Sequence, residues 1–136
     1  MTQNNYKDIT INKRIAMIAA SELVGYRSCF VGIGIPSDAA CLAKITVEKN
    51  LNLIYESGAI GAFPHTKSYS TGSPSIAHGA EMITDSLSVF SELQAGRIEV
   101  GLLSAAQIDK YGNLNSTVIQ SLLVDRSQTK SIELQN

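Results

Sequence analysis

Hydrophobic residues in this chain fall into short apolar runs separated by stretches of helical spacing, and that alternation predicts an α/β fold. From about Thr10 to Leu23, Ile11, Ile15, Ile18 and Ala19 recur at the spacing of an amphipathic helix, with Thr10 placed to cap it. Lys13 stands where a glutamate would complete the capping box, so half of that motif is present. The apolar run from Cys29 to Ile33, bounded by Gly25 and the Gly34/Pro36 turn, reads as a strand covered on both faces. After Pro36 and Ser37, the positions of Ala39, Ala40, Ala43 and Val47 suit a second helix, with the proline in a first turn that tolerates its missing N–H. Leu51 to Tyr55 reads as a second strand that stops at Glu56-Ser57-Gly58 and completes a βαβ unit with parallel strands.

Beyond that unit, residues 58 to 79 are rich in glycine and hydroxyls and contain Pro64 and Pro74, a composition that predicts a loop. Thr84 or Asp85 can cap a third helix carrying Leu87, Phe90 and Leu93 and ending at Gly96, and Ile98 to Leu103 supplies a third strand. Gln107 to Asn115 is turn-rich around Asp109-Lys110-Tyr111-Gly112-Asn113. From Gln120 the chain is polar, and only Leu122 to Val124 could pack, so a frayed tail is expected there. The economical architecture is an open, mostly parallel sheet flanked by helices, with an α/β domain over residues 1–119 and a divergent tail over 120–136.

Composition narrows the partners. The 136 residues suffice for one domain with a substantial core, and 44% apolar against 17% charged residues leaves a weakly charged surface that suggests a partner subunit. Eleven basic and twelve acidic side chains are well mixed, giving a net charge of -1, so no basic stripe exists for a nucleic acid. The first eight residues are polar and lack the apolar region of a signal peptide, and no stretch approaches a membrane span; a cytoplasmic protein without a membrane partner is expected. Cys29 and Cys41 lack redox-motif or metal spacing and read as reduced core thiols. His65 and His78 likewise lack ligand spacing, so no metal is expected.

Two turns can carry chemistry, because ligands of open α/β sheets bind beyond the carboxyl ends of the strands. Gly32-Ile33-Gly34-Ile35-Pro36-Ser37 matches a dinucleotide fingerprint only in part, with Pro36 and Ser37 where a third glycine would fall. It is either a tight strand-to-helix turn or a place where small residues let a substrate approach backbone N–H groups. The second turn places Glu56 after an apolar strand and before the slender Ser57-Gly58-Ala59-Ile60-Gly61 segment, which would let a reacting group approach a carboxylate and backbone donors together. An acid at such a place can also merely cap a turn or face solvent. Gln107 and Asn113 could contact a substrate or belong to an ordinary turn. Lys44, Lys67, Arg97 and Lys110 could meet phosphates or simply solvate a surface.

Three blocks, Val31 to Ser37, Tyr55 to Gly61 and Gly101 to Thr117, resemble those of family I CoA-transferases, nearest the second (beta) subunit of the glutaconate type, over roughly residues 8 to 119. The resemblance implies the three-layer arrangement of CoA-transferase and NagB-like folds, in incomplete form, and makes Glu56 of the Glu-Ser-Gly motif the catalytic glutamate. Gly32, Gly34, Ser57, Gly58, Gln107 and Asn113 become substrate- or CoA-contacting candidates. It further implies transfer of CoA from an acyl-CoA to a small carboxylic acid through a glutamyl-CoA thioester, with no cofactor beyond that thioester substrate, and a homologous first (alpha) subunit in an oligomer. Family members generally continue past the Asn113 to Thr117 segment into further strands, so a truncated, non-catalytic subunit that only associates with a partner is the competing expectation. An acyl-CoA hydrolase or decarboxylase of the same fold, and an independent dinucleotide-binding domain, are the others.

Overall fold

The computed structural model describes residues 9–64 and 70–115, which fall into two compact units, residues 1–104 and 105–136. The expected boundary at residue 119 and the expected tail lie outside the described residues. In the first unit, helix α1 spans Ile11–Ser21, strand β1 Ser28–Val31, helix α2 Ile35–Thr46 and strand β2 Asn52–Tyr55. Strands β3 (Ala59–Ile60) and β4 (Met82–Ile83) follow, with a 3-10 helix at Pro74–Ala77 between them, then helix α3 (Ser86–Gln94) and strand β5 (Val100–Leu102). These strands form one sheet in the order β4-β3-β2-β1-β5. β1 runs parallel to both β2 and β5, whereas β3 and β4 are added antiparallel at one edge. No helix among the described residues is long and apolar enough to cross a membrane.

Strand alternation explains how this sheet is covered twice. Cys29, Val31, Leu53 and Tyr55 point to one face and join Ala20, Leu23, Ala40, Ala43 and Leu51 in the larger core, beneath α1 and α2. Phe30 and Ile54 point to the other face and meet Val89, Leu93 and Ile98, so α3 covers that side. A strand buried on both faces has no room for polar alternation, which is why the apolar runs were readable as strands. Asp85 caps α3 by accepting a 2.8 Å bond from the Ser88 amide, and that bond holds its carboxyl below the usual carboxylate range.

Two expectations need correction. The isoleucine stripe of α1 ought to turn inward if it were the core face of an amphipathic helix. Instead Ala16, Ala20 and the following Leu23 face the core, while Ile11, Ile15 and Ile18 are 74%, 46% and 64% exposed. The small alanines let α1 pack closely on α2, whose own buried face includes Ala39, Ala40 and Ala43. The second correction concerns the expected loop of residues 58–79, which begins with a strand. Ile60 pairs with Ile54, the Gly61 amide reaches the Leu53 carbonyl at 2.9 Å, and Ile76 of the 3-10 helix is anchored in the larger core. Glycine and small residues at 58–62 serve close packing around β3, which lies between β2 and β4.

The second unit begins with an antiparallel hairpin, β6 (Gln107–Ile108) and β7 (Leu114–Asn115), closed by Asp109. Its carboxylate accepts from the Tyr111 and Asn113 amides and from Asn113 Nδ2, and these bonds lower its pKa.

The helix packing gives a stability contrast. Ala20→Leu should destabilise the chain by about 1–3 kcal/mol through overpacking, while Ile18→Gln on the exposed stripe should change it by no more than about 0.5 kcal/mol; urea unfolding monitored by circular dichroism reads both, and an inverted order would refute the assigned helix face. The turn into β3 gives another. A Cβ at Gly58 (φ +100) would lie 2.0 Å from the Thr84 carbonyl oxygen, whereas one at Gly25 (φ +87) would meet nothing within 4 Å. Gly25→Ala should therefore cost only the left-handed backbone penalty of about 1 kcal/mol, and Gly58→Ala at least about 2 kcal/mol more, measured by the same method.

Candidate functional site

The carboxyl ends of β1 and β2 lie side by side, because Val31 pairs with Tyr55 in parallel register. The turns that follow, Gly32 to Ser37 and Glu56 to Gly58, therefore emerge at the same edge of the sheet. That juxtaposition is the one the sequence pointed to.

Glu56 is the first residue beyond β2 and is partly buried. Among the described residues none supplies a hydrogen bond or an ion pair to its carboxylate. The turn beneath it is fixed: the Gly58 amide donates to the Tyr55 carbonyl at 2.9 Å, and the Gly58 carbonyl accepts from the Thr84 amide at 2.9 Å. Gly58 is thus committed at both backbone groups, and its positive φ and its contact with Thr84 give it a structural reason to be glycine. Ser57, partly exposed, lines a cavity of about 180 Å³ with Ala59, Ile83 and the segment from Thr71 to Ala77. Glu56 is not among the residues lining that cavity, which is smaller than the roughly 300–1,000 Å³ that ligand sites usually enclose.

In the neighbouring turn the two glycines have different reasons to be there. A Cβ on Gly32 would sit 3.0 Å from the Leu102 carbonyl oxygen, and the Gly32 amide donates to that oxygen at 2.8 Å, so this glycine admits β5. Gly34 adopts φ 86 and ψ -129 at the N-cap of α2, a conformation that excludes side-chain-bearing residues, and the space a Cβ would occupy is open. Of the pair, only Gly34 leaves room for a ligand near the backbone. Pro36 is buried at the start of α2 and Asp38 stands in its first turn. A proline removes one N–H donor and an aspartate adds negative charge where a pyrophosphate would have to sit, which argues against the dinucleotide reading.

Sequence reasoning passed over Tyr55 as merely the end of a strand. Its side chain is completely buried, and its hydroxyl lies 3.2 Å from Ser37 Oγ and 3.9 Å from Cys41 Sγ on successive turns of α2. Burial pushes the phenol well above its ordinary pKa, with the Ser37 bond acting in the opposite sense, so it stays neutral. The signal was available: a tyrosine in an otherwise apolar run must bury its hydroxyl against a partner. Cys29 is a buried free thiol pushed up to about 11 by desolvation, and Cys41 is free and raised for the same reason, so neither is a ready nucleophile.

Most of the remaining candidates have bonding partners of their own. Gln107 and Asn113 belong to the second unit, where Gln107 Oε1 accepts from Asn115 Nδ2 at 2.7 Å and Asn113 Nδ2 donates to Asp109 at 2.7 Å. Both side chains are occupied in building their hairpin. Lys44 donates to the Leu51 carbonyl at 2.6 Å, Arg97 pairs with Glu92 at 2.8 Å, and Lys110 lies over the Tyr111 ring. Lys67 and His65 lie outside the described residues. No group of three His, Cys, Asp or Glu side chains suited to a metal occurs among the described residues.

Comparison with known proteins gives this geometry a family. A family model described as coenzyme A transferase matches residues 13–134. The chain is 46% identical over 109 residues to the second of the subunits of 3-oxoadipate CoA-transferase from Pseudomonas knackmussii, covering 79% of this chain and 42% of that protein. The fold superposes on glutaconate coenzyme A-transferase of Acidaminococcus fermentans with a TM-score of 0.73 and 26% identity, over 84% of this chain and 46% of that one. It also matches the decarboxylase AibA/AibB, with a TM-score of 0.69 and 20% identity over 85% of this chain and 48% of that one, a likeness of fold alone. The chain spans less than half the length of each of these relatives. With the match covering most of its length and two parallel strands presenting an acid at their shared end, this chain belongs to the family I coenzyme A transferases, on the side of the beta subunit.

Proposed function

We propose that the chain acts as the second subunit of a CoA-transferase that moves CoA between an acyl-CoA and a small carboxylic acid, with Glu56 as nucleophile. The observation that carries this reading is the place of Glu56: partly exposed, unpaired among the described residues, at the end of a central parallel strand in a turn held rigid from both sides. The Glu56 carboxylate attacks the thioester carbonyl, forming a mixed anhydride and releasing CoA thiolate. The thiolate attacks the glutamyl carbonyl and expels the donor carboxylate, leaving CoA on Glu56 as a thioester. An acceptor carboxylate opens that thioester to a second anhydride, and the freed thiolate takes the acyl group, restoring Glu56. No metal or resident cofactor enters these steps; CoA is carried only as substrate.

A carboxylate is a weak nucleophile, so binding of remote parts of CoA must drive the approach, and N–H donors must meet each oxyanion. Ser57, next to Glu56 in the chain, makes no bond to a described residue and is a candidate donor. The shallow cavity beside it calls for further walls, which we assign to a homologous first subunit in an oligomer. The 3-oxoadipate relative, named as one subunit of its enzyme, and the paired name AibA/AibB support that assignment, as do the exposed apolar residues of α1 and β4. Two free thiols among the described residues fit a reducing cytoplasm. Retention of a carboxylate at position 56 favours transfer over hydrolysis or decarboxylation, because the glutamyl thioester is what delivers CoA to an acid. The acceptors to test first are 3-oxoadipate and glutaconate, the acids in the relatives' names.

The test is chemical trapping. The chain and a homologous first subunit, incubated with acyl-CoA and then borohydride, should yield a peptide reduced at Glu56 by mass spectrometry, and Glu56→Gln should remove it and lower turnover by at least about a thousandfold. Formation of the complex with neither label nor turnover would instead establish a non-catalytic, assembling subunit.

A further inference from the structure

We infer that the part-buried hydroxyl pair of Tyr55 and Ser37 positions the Glu56 turn against the turn that starts α2, so that Tyr55 is a positioning residue for the reaction proposed above, on which this inference rests. Tyr55 is held at two points. Its carbonyl accepts from Gly58 and closes the turn that carries Glu56, while its ring passes through the larger core and its hydroxyl meets Ser37 Oγ at 3.2 Å. Ser37 lies in the first turn of α2, three residues after the open Gly34 backbone. One side chain therefore links the candidate nucleophile's turn to the neighbouring turn across the width of the core.

The alternative is that Tyr55 merely fills space. Three observations weigh against it. The ring is completely buried, where phenylalanine would be easier to accommodate than a hydroxyl needing a partner. The hydroxyl meets two polar atoms, Ser37 Oγ and Cys41 Sγ, four residues apart and hence on one face of α2. The bond also joins the two loop-bearing ends of the parallel pair β1 and β2, where small displacements move whatever those loops hold. Burial keeps the phenol neutral, so it neither gives nor takes a proton in the working pH range.

The experiment uses the full chain assembled with its first subunit and compares wild type, Tyr55→Phe, Ser37→Ala and the double variant in steady-state CoA transfer. Each single variant should lower kcat about tenfold, with KM for acyl-CoA within about twofold, since misplacing a reacting group costs turnover rather than uniform binding. The double variant should be no worse than either single, because both remove one bond, and Ser37→Thr should restore at least half of the lost turnover. The pH profile should keep its shape in Tyr55→Phe, and loss of one limb would overturn positioning in favour of acid–base chemistry. Unchanged kcat in Tyr55→Phe, or losses that multiply in the double variant, would overturn the inference while leaving the transferase reading intact. A wild-type complex without turnover or Glu56 adduct would remove both.

Discussion

Burial of the central parallel strands on both faces is the constraint from which the rest of this structure follows. Once Cys29, Val31, Leu53 and Tyr55 are committed to one core and Phe30 and Ile54 to the other, the register of β1 against β2 is set, since a slip of one residue would exchange the faces. Fixed register brings the two strand ends level. The turns beyond them, Gly32 to Ser37 and Glu56 to Gly58, then share one edge without further instruction. The place of Glu56 at that edge is a consequence of packing within the sheet, since the strand before it is held in the core.

Much of this was legible from residue patterns. Strands covered on both faces show as unbroken apolar runs, and Asp85 before Leu87 and Phe90 announced a capped helix, which the Ser88 bond bears out. The α1 stripe was readable as helix but not as to which side faces inward. Alanine packs a helix interface as readily as isoleucine covers a surface, and pattern alone ranks the bulkier residues as core. The antiparallel edge of β3 and β4 was illegible for a related reason: two-residue strands carry no period, and only pairing of β3 with β2 and of β4 with β3 makes them strands.

The candidate site was legible in its acid and partly misread in its glycines. Glu56 stood out because an ionisable residue ended an apolar run. Gly32 and Gly58 were candidates for substrate contact, with a plain tight turn as the alternative at Gly32, and in both the space a Cβ would need is taken by protein, β5 at one and the Thr84 backbone at the other. A glycine marks close approach of something, and sequence does not say whether that something is ligand or chain. Tyr55 shows the converse: a strand residue unremarkable in pattern whose hydroxyl joins two loops. Gln107 and Asn113 carry hydrogen bonds within their own hairpin, a use that turn composition already allowed.

The central claim is that the shared edge of β1 and β2 delivers the Glu56 carboxylate to a thioester. A crystal structure of the chain with its first subunit, soaked with a non-hydrolysable acyl-CoA analogue, tests it most directly. The account predicts the analogue's carbonyl carbon within about 3.5 Å of a Glu56 oxygen, with the pantetheine arm passing beside Gly34. An analogue bound with its carbonyl at another residue, and Glu56 turned to solvent, would contradict it.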